Sequence, residues 1–406
     1  MKKIILILSV AILSINSIKA QWGQVNNGIT NLTSGARLLG SSNTYLFSGT
    51  LGGGKMYRTN DNGNNWTEIQ PPVTSNVPES GYFFSGKYFS GLNSSMDCIF
   101  YTTDNGTTWN SVTGGPQTTV VRGFESLLTT VFAYTSNKGI FRSTDGGNNW
   151  NQDTIGLTNL NVSDMETING KLIAATIGGG IYISTDNGST WVQSNTGIAS
   201  GDLNAKIVWR MGTSLYYTAQ GGGSYSSSDE GVNWSTWVKP AVMGLDPMEI
   251  YRNGTNLYME ARHFSGGLRD SIYLSSNEGV TWINITDNLS ATDLNASGIT
   301  EFGGDVFIAY NISSPGLGIY RKGISTSIEN ITINNTVALY PNPFQHQLNL
   351  SKQVLSIRVY NMIGKEVMFL THPSKTVNLS HLDNGIYIFE LELTDKSKHI
   401  EKLIKN

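Results

Sequence analysis

Short apolar runs alternate with polar and glycine-rich runs along most of the chain. In the segment 171–185, the apolar runs KLIAAT and IYIST flank the glycine-rich turn IGGG. Short runs rich in Ile, Val, Tyr and Thr and bounded by Gly or Asn are typical of β-strands joined by tight turns. The pattern therefore predicts short antiparallel strands and argues against long helices.

The polar turns between these runs are themselves repeated. A segment of the form Ser/Thr-x-Asp-x-Gly-x-x-Trp, or a close variant, occurs six times, and we call each copy a box turn. Successive third residues lie 43, 41, 41, 43 and 48 positions apart. A period of about 40–45 residues is the length of a four-stranded blade, so the repeat predicts a β-propeller. The six segments are TNDNGNNW (59–66), TTDNGTTW (102–109), STDGGNNW (143–150), STDNGSTW (184–191), SSDEGVNW (227–234) and SSNEGVTW (275–282).

The two ends of the repeat region complete one another. Residues 298–323 repeat the first three strands of a unit but lack a box turn and a fourth strand. The segment WGQVNNGI at 22–29 resembles WVQSNTGI at 191–198, the predicted fourth strand of a complete unit. We therefore predict an all-β fold with a seven-bladed β-propeller over 21–323, closed by the N-terminal strand. Closure leaves no open sheet edge.

The first 20 residues have the pattern of a secretory signal peptide. Lys2 and Lys3 precede an apolar run over 4–15, and Ala20 ends the segment. This apolar run is too short to be a membrane span. The sequence predicts residues 1–20 as a signal peptide and no transmembrane segment in the mature chain.

Composition narrows the classes of function. Charged residues are 14% of the chain, Gly is 45 of 406 residues and the formal net charge is −3. This balance offers no basic surface to nucleic acid or to an anionic membrane. The single cysteine, Cys98, excludes an intramolecular disulfide, and its expected place is inside a strand. Metal-ligand clusters, nucleophile motifs and phosphate loops are absent from the sequence, so we predict no metal site and no cofactor.

The box turn resembles the Asp-box, or bacterial neuraminidase repeat, of sialidases, xyloglucan-cleaving propellers, sortilin-type receptors and photosystem assembly factors. The resemblance implies the propeller fold, whereas the functions of those families differ. A structural role agrees with the chemistry, because Asp can accept N–H groups in its own turn, Gly can take positive φ and Trp can bury its ring. Binding of calcium or another ligand is the alternative, which Asn in the sixth copy disfavours. The predicted structural residues are Asp61, Asp104, Asp145, Asp186, Asp229, Asn277, Trp66, Trp109, Trp150, Trp191, Trp234 and Trp282.

Charged residues near the predicted inner strands are the remaining candidates for a site. Asp164 and Glu166 are two positions apart, so on a strand they share one face. They are the candidates for a catalytic acid/base pair, and the alternative is a pair of solvated surface acids. The chain lacks the Arg-Ile-Pro motif that sialidases carry. It has seven predicted blades where sialidases have six, and one propeller where xyloglucan-cleaving relatives have two.

The composition changes after Gly323. Residues 324–336 are polar and predict a linker, whereas 337–406 contain alternating runs such as GIYIFELEL that predict strands. This region resembles the C-terminal sorting domain of type IX secretion in Bacteroidetes, which implies a small β-sandwich that directs export across the outer membrane. An ordinary appended β-sandwich is the alternative. The motif residues are Tyr340, Pro341, Asn342, Pro343, Gly364, Gly385 and Tyr387.

The sequence leaves three hypotheses for function. The first is a secreted or cell-surface propeller that binds a polysaccharide or a surface protein without catalysis, with the type IX secretion machinery as export partner. The second is a sialidase-like or xyloglucanase-like glycoside hydrolase, and the third is an assembly scaffold. The absent sialidase motif and the sparse charge favour the first and the third. The expected location is the cell surface or the medium, reached through the periplasm.

Overall fold

The computed structural model contains two compact units, Met1–Ile324 and Ser325–Asn406. It describes residues 21–30, 32, 35–51, 54–70, 73, 76–238, 246–262, 271–289, 296–310, 317–323, 339–361, 365–393 and 398–406. The predicted signal peptide, the predicted linker and Gly364 lie outside the described residues. The boundaries proposed for the four segments stay predictions.

Antiparallel strands build the first unit, in successive groups of four. The first strands of the groups are β2 (Ala36–Ser41), β6 (Val77–Phe84), β10 (Gln117–Leu127), β14 (Val162–Ile168), β18 (Ala205–Met211), β22 (Asp246–Asn253) and β26 (Ala296–Phe302). The second strands are β3 (Leu46–Thr50), β7 (Lys87–Asp97), β11 (Thr130–Thr135), β15 (Lys171–Thr176), β19 (Ser214–Ala219), β23 (Asn256–Arg262) and β27 (Asp305–Tyr310).

The outer strands of the groups are shorter. The third strands are β4 (Met56–Thr59), β8 (Ile99–Thr102), β12 (Ile140–Ser143), β16 (Gly180–Ser184), β20 (Ser224–Ser227), β24 (Ser271–Ser275) and β28 (Gly318–Gly323). The fourth strands are β5 (Thr67–Ile69), β9 (Asn110–Ser111), β13 (Asn151–Gln152), β17 (Val192–Gln193), β21 (Ser235–Thr236), β25 (Ile283–Asn284) and, for the last group, β1 (Gly23–Gln24). The helical content among the described residues is one 3₁₀ turn, Ser200–Asp202.

The last group takes its fourth strand from the N-terminal end of the described chain. β1 pairs antiparallel with β28, with Gly23 opposite Arg321 and Gln24 opposite Tyr320. The first strands of successive groups contact one another, and β26 also contacts β2. The prediction of an all-β fold is confirmed. These pairings agree with seven blades closed by the N-terminal strand, and that count and that closure stay predictions.

Two neighbouring groups are joined in one sheet by a strand pairing that the repeat pattern does not predict. β7 continues beyond its ladder with β8 and pairs with the start of β10, with Asp97 opposite Gln117 and Ser94 opposite Thr119. Cys98 is buried where the chain passes from β7 to β8. The third and fourth strands of both groups keep the usual order around this junction.

The core of the first unit lies between adjacent sheets. In one cluster, Leu46 and Trp66 of the first group pack with Phe307 and Ile319 of the last. Burial of each such side chain contributes about 1.5–3 kcal/mol relative to exposure. Packing between groups therefore holds the first unit together, since no disulfide is possible.

Two small sheets build the second unit. One contains β29 (Leu339–Tyr340), β30 (Gln347–Leu350) and β33 (Thr376–Asn378). The other has the order β32 (Glu366–Thr371), β31 (Val354–Asn361), β34 (Gly385–Leu393) and β35 (Lys398–Lys405). Alternate residues of β34 are buried, which gives the sheet one core face and one partly exposed face. The core includes Phe344, Ile357, Phe389, Leu391 and Leu403.

Candidate functional site

Each box turn is held by hydrogen bonds among its own residues. In the first copy, Thr59 Oγ1 donates to Asp61 Oδ1 at 2.8 Å and accepts the backbone N–H of Gly63 at 3.1 Å. Asp61 Oδ1 and Oδ2 accept the backbone and side-chain N–H groups of Asn65 at 2.9 and 2.8 Å. The same set of bonds occurs around Asp104, Asp145, Asp186 and Asp229.

The sixth copy keeps this geometry with an amide. Asn277 Oδ1 accepts Ser275 Oγ and the backbone N–H of Thr281, both at 2.9 Å. Its Nδ2 donates to Thr281 Oγ1 at 2.9 Å, so the second oxygen of the carboxylate is replaced by a donor. The described residues contain no group of three or more His, Cys, Asp or Glu placed to hold a metal ion. The geometry around Asn277 supports a structural role for the box turns, which stays a prediction.

Hydrogen bonds lower the pKa values of the box carboxylates. The backbone and side-chain donors of Thr108 lower the pKa of Asp104 to about 2. The same two donors of Asn149 lower the pKa of Asp145 to about 2. These carboxylates are exposed and therefore remain ionised acceptors across the neutral range.

The tryptophan of a box turn joins its sheet to the preceding one. The backbone N–H of Trp234 donates to the carbonyl oxygen of Thr196 at 2.8 Å. Gly197 follows with φ +91°, and a Cβ there would lie 1.8 Å from Trp234 O. Thr196 and Gly197 lie in the turn that follows β17, the fourth strand of the preceding group. Equivalent bonds join Trp66 to Asn27, Trp150 to Thr113 and Trp191 to Ile155.

The repeat of the box turn does not predict this contact. Its signal is a second recurring glycine, which follows the fourth strand in segments such as NNGI (26–29) and NTGI (195–198). Only glycine fits, because φ is positive and the tryptophan carbonyl approaches closely.

In four of the six box turns, the side chain of the fourth residue also reaches the preceding group. Asn62 Nδ2 donates to Asp305 Oδ2 at 2.6 Å. The carboxylate of Glu230 accepts Asn169 Nδ2 at 2.6 Å and pairs with Lys171 Nζ at 2.5 Å. The partner therefore differs from one junction to the next. Two further junctions of this kind are Asn105 with Ser42 and Asn187 with Thr130.

Asp164, the first catalytic candidate, lies on β14 and bonds two neighbouring sheets. Its Oδ1 accepts Tyr134 Oη at 3.2 Å, and its Oδ2 accepts the backbone N–H of Val208 at 3.0 Å. Burial raises the pKa of Asp164 to about 7, although the bond from Val208 acts in the opposite direction. Asp164 is partly exposed, and both of its carboxylate oxygens are bonded within the protein.

Glu166, the second candidate, makes the equivalent link one step along the strand. Its Oε2 accepts the backbone N–H of Arg210 at 3.2 Å, and its Oε1 accepts that of Thr167 at 3.0 Å. Burial raises the pKa of Glu166 above its ordinary value, against the backbone bond from Thr167 and the charges of Arg252 and Arg210. Asp164 and Glu166, two alternate residues on one face of β14, thus both bond the backbone of β18.

Glu125 on β10 joins this group of acids. Burial raises its pKa to about 8, and the negative charges of Glu166 and Asp164 act in the same direction. Its Oε1 accepts the backbone N–H of Ser126 at 2.9 Å. Three carboxylates on two adjacent first strands therefore influence one another.

Basic side chains lie on the same set of first strands. Arg37 on β2 forms an ion pair with Glu79 on β6. Arg122 Nη1 donates to the carbonyl oxygen of Val162 at 3.0 Å. The first strands therefore carry charged side chains of both signs. Arg37 and Arg122 each bond a group on the first strand of the next group.

Three tryptophans lie outside the box turns. Trp22 is buried, and it occupies the start of the fourth strand of the last group, as a box tryptophan does elsewhere. Trp209 and Trp237 form an aromatic cluster with Tyr216, with ring centroids 5.0–5.7 Å apart. Trp209 is buried, so this cluster belongs to the packing between sheets.

The motifs of the second unit converge on the end of β35. Asn342 Oδ1 accepts the backbone N–H of Ile404 at 3.0 Å. The backbone N–H of Phe344 donates to Ile404 O at 2.9 Å, and that of Asn406 donates to Phe344 O at 3.0 Å. The turn that contains Tyr340, Pro341, Asn342 and Pro343 thus leads into the C-terminal strand, and Tyr340 is half exposed.

Lys405 fixes a second motif to the same strand. Its buried ammonium group donates to the carbonyl oxygens of Leu379, Ser380 and Leu382 at 2.8, 3.3 and 2.6 Å. An ammonium group has three donors, so its hydrogen-bonding capacity is met. The adjoining turn leads to Gly385 at the start of β34, where Tyr387 Oη donates to Asp383 O at 2.8 Å.

Comparison with known proteins identifies the second unit and the fold of the first. The family model described as "Secretion system C-terminal sorting domain" matches residues 338–406. A search of curated protein sequences finds no match. The part of the chain that the structure describes has no helix long and apolar enough to cross a membrane.

Solved structures similar to this chain are β-propeller proteins. "YCF48 bound to D1 peptide" has a TM-score of 0.54 and 17% identity, over 77% of this chain and 98% of that one. YCF48 from Cyanidioschyzon merolae has a TM-score of 0.52 and 16% identity, over 75% and 98%. The extracellular domain of the one-component system BT4673 from B. thetaiotaomicron has a TM-score of 0.50 and 10% identity, over 96% of this chain and 59% of that one. Likeness at these identities shows the fold alone.

Proposed function

Since residues 338–406 belong to the family of secretion system C-terminal sorting domains, we propose that the propeller before them is a non-catalytic module that binds a protein or a glycan outside the cell. The family match supports export by type IX secretion to the cell surface or the medium. The function of the propeller is what we add to it.

The bonding of Asp164 and Glu166 carries the non-catalytic part of the proposal. Each of their four carboxylate oxygens accepts a hydrogen bond from the chain itself, and three of these bonds connect adjacent sheets. Bonds from the chain to both oxygens fix the orientation of each carboxylate, and this supports a structural role. We therefore infer that these two side chains link β14 to β18 by hydrogen bonds.

Mixed charge on the first strands supports a polypeptide as the ligand to test first. Arg37 and its partner Glu79 place charges of both signs on the first strands, and Arg122 adds a second positive charge, which suits a peptide with polar side chains. One similar structure carries a bound peptide by its own title. An assembly scaffold, the third hypothesis, would also act by binding a polypeptide without catalysis.

A glycoside hydrolase is the second candidate, because two carboxyl groups have pKa values in the range of an acid catalyst. Burial raises the pKa of Glu125 to about 8 and that of Asp164 to about 7. A carboxyl group that stays protonated near neutral pH can donate a proton to a leaving group.

Two assays on the purified full-length chain decide between these functions. The first measures hydrolysis of sialylated glycans and plant polysaccharides by the wild type, Asp164→Asn and Glu166→Gln. The second screens a peptide array and a glycan array for binding by the wild type and Arg122→Ala. Binding without turnover supports the proposal, and turnover that either carboxylate substitution abolishes would establish the hydrolase.

A further inference from the structure

We propose that the outer edge of β35 receives an extended, acidic segment of a partner protein of the export machinery, which adds to the sheet as a further strand. The proposal concerns the sorting unit alone and does not rest on the function proposed for the propeller. It assigns a surface and a kind of partner to a unit whose family match says only that it sorts.

The backbone of β35 offers a strand edge. Ile404 bonds through both its N–H and its C=O to the turn at 342–344, so these groups point away from β34. Alternate residues of an antiparallel strand direct these groups to the same side, so those of Lys402 also face outward. β35 is the end strand of its sheet, and no described strand pairs with Lys402 on that side.

The chain itself already adds to one end of this edge. Phe344 forms a parallel bridge with Lys405, and this pairing stops at Ile404. An added strand would continue from that point along the part of β35 that pairs with no described strand on its outer side. Strand addition of this kind draws affinity from backbone hydrogen bonds and specificity from alternate side chains.

Apolar side chains border the free edge on the outer face of the sheet. Ile404 is 40% exposed and lies opposite Ile386 on β34. Ile388 lies opposite Lys402, and Tyr360 on β31 lies opposite Ile388. These side chains form a partly exposed apolar strip that runs inward from the edge.

The other end of the same face is polar, so the apolar strip is local. Arg358 lies 4.1 Å over the ring of Phe369 and forms an ion pair with Glu366 at 2.7 Å. Arg358 and Phe369, together with Glu390 and Glu392, border a groove of about 460 Å³. An added strand at β35 would meet isoleucine and tyrosine side chains rather than this groove.

The charge of β35 defines the chemistry of the partner. Residues 398–406 contain three lysines and one glutamate, and the ammonium group of Lys405 is internally bonded. Lysines on an edge strand also discourage indiscriminate pairing with other proteins. An acidic segment would be attracted where neutral or basic strands are rejected.

The test uses Lys402→Pro in the full-length chain, produced in a bacterium with a type IX secretion system. Proline removes the outward N–H of residue 402, and an edge strand tolerates proline where the N–H faces solvent. Lys402→Ala keeps the N–H and removes the charge, and Lys375→Ala removes an exposed lysine elsewhere in the unit. The readouts are the exported fraction by immunoblotting and the melting temperature of the purified chain.

We expect Lys402→Pro to lower the exported fraction about fivefold or more, the scale of one lost hydrogen bond. Lys402→Ala should have a smaller effect, and Lys375→Ala should leave export unchanged. Wild-type export of Lys402→Pro would overturn the proposal. If the melting temperature of Lys402→Pro is lower than that of the wild type, Lys402→Glu replaces it as the test, because glutamate keeps the backbone N–H and reverses the charge. A lower exported fraction for Lys402→Glu than for Lys402→Ala supports the proposal. Equal exported fractions for the two variants overturn it.

Discussion

The indole N–H of Trp22 donates to the main-chain oxygen of Ile285 at 2.6 Å, across 263 residues of sequence. Trp22 also exchanges backbone hydrogen bonds of 2.9 Å with the side-chain amide of Asn288. The N-terminal strand is therefore fastened to the group that contains β25, in addition to its pairing with β28.

Trp22→Ala should lower the free energy of unfolding by about 3–5 kcal/mol, because it removes a buried aromatic ring. The measurement is guanidinium denaturation followed by circular dichroism. Gly23→Ala is the matched control, since an added Cβ would meet no atom within 4 Å. Deletion of residues 21–29 tests closure directly, and unchanged stability after that deletion would contradict it.

Gly197→Ala should destabilise the chain by more than about 1–2 kcal/mol. Positive φ alone has about that cost for a residue with a Cβ, and here the Cβ also meets Trp234 O at 1.8 Å. Thermal denaturation of Gly197→Ala and Gly201→Ala provides the comparison. Gly201 has space for a Cβ, so a similar loss in both variants would refute the role given to the Trp234 contact.

Asp145→Ala should cost about 1 kcal/mol, and Asp145→Asn should cost less, because the amide keeps one acceptor but loses the charge. Alanine removes the acceptors for Ser143 and Asn149, and the amide at Asn277 shows that Asn can keep the turn. Melting temperatures in calcium and in EDTA complete the test. If the box turns are structural, the metal causes no shift, and a calcium-dependent rise that Asp145→Ala removes would favour a calcium site.

Stability should fall as the pH rises from about 4.5 to about 8. Burial raises the pKa of Glu125 to about 8 and that of Asp164 to about 7, so in this range the folded chain holds protons that the unfolded chain has lost. Urea denaturation at a series of pH values measures the slope. Glu125→Gln should flatten it, and an unchanged slope in this variant would show that Glu125 is not the group responsible.

The box carboxylates should produce the opposite trend in acid. Their pKa values are lowered to about 2 from an ordinary value of 3.8, so their contribution is present above about pH 4 and is lost as the pH falls towards 2. Asp145→Asn should reduce the acid sensitivity measured by the same titration. An unaltered acid limb would assign the loss to other groups.

The repeat spacing predicts much of the fold because each box turn is made within eight consecutive residues. Thr59, Asp61 and Asn65 find their partners locally, so a sequence pattern can report them. The similarity of 22–29 to 191–198 likewise predicts that Trp22 starts a fourth strand.

The sequence predicts the contacts between neighbouring groups of strands less well than it predicts the box turns. The partners of Asp164 and Glu166 are backbone N–H groups on β18, more than 40 residues away, and backbone groups carry no residue signature. Local spacing shows that the two acids share a strand face but not that a neighbouring strand bonds them. The pairing of β7 with β10 is hidden for the same reason, since extra strand length does not name its partner.

In four of the six box turns, the fourth residue contacts the preceding group and makes the repeats non-interchangeable. Glu230 meets a lysine and an asparagine of the group before it, whereas Asn62 meets an aspartate. Exchange of these two units would set Glu230 against Asp305 and leave Lys171 without its carboxylate. Units with nearly identical turns therefore make contacts that are specific to their own neighbour. A unit placed beside the wrong neighbour would lose these contacts or bring like charges together.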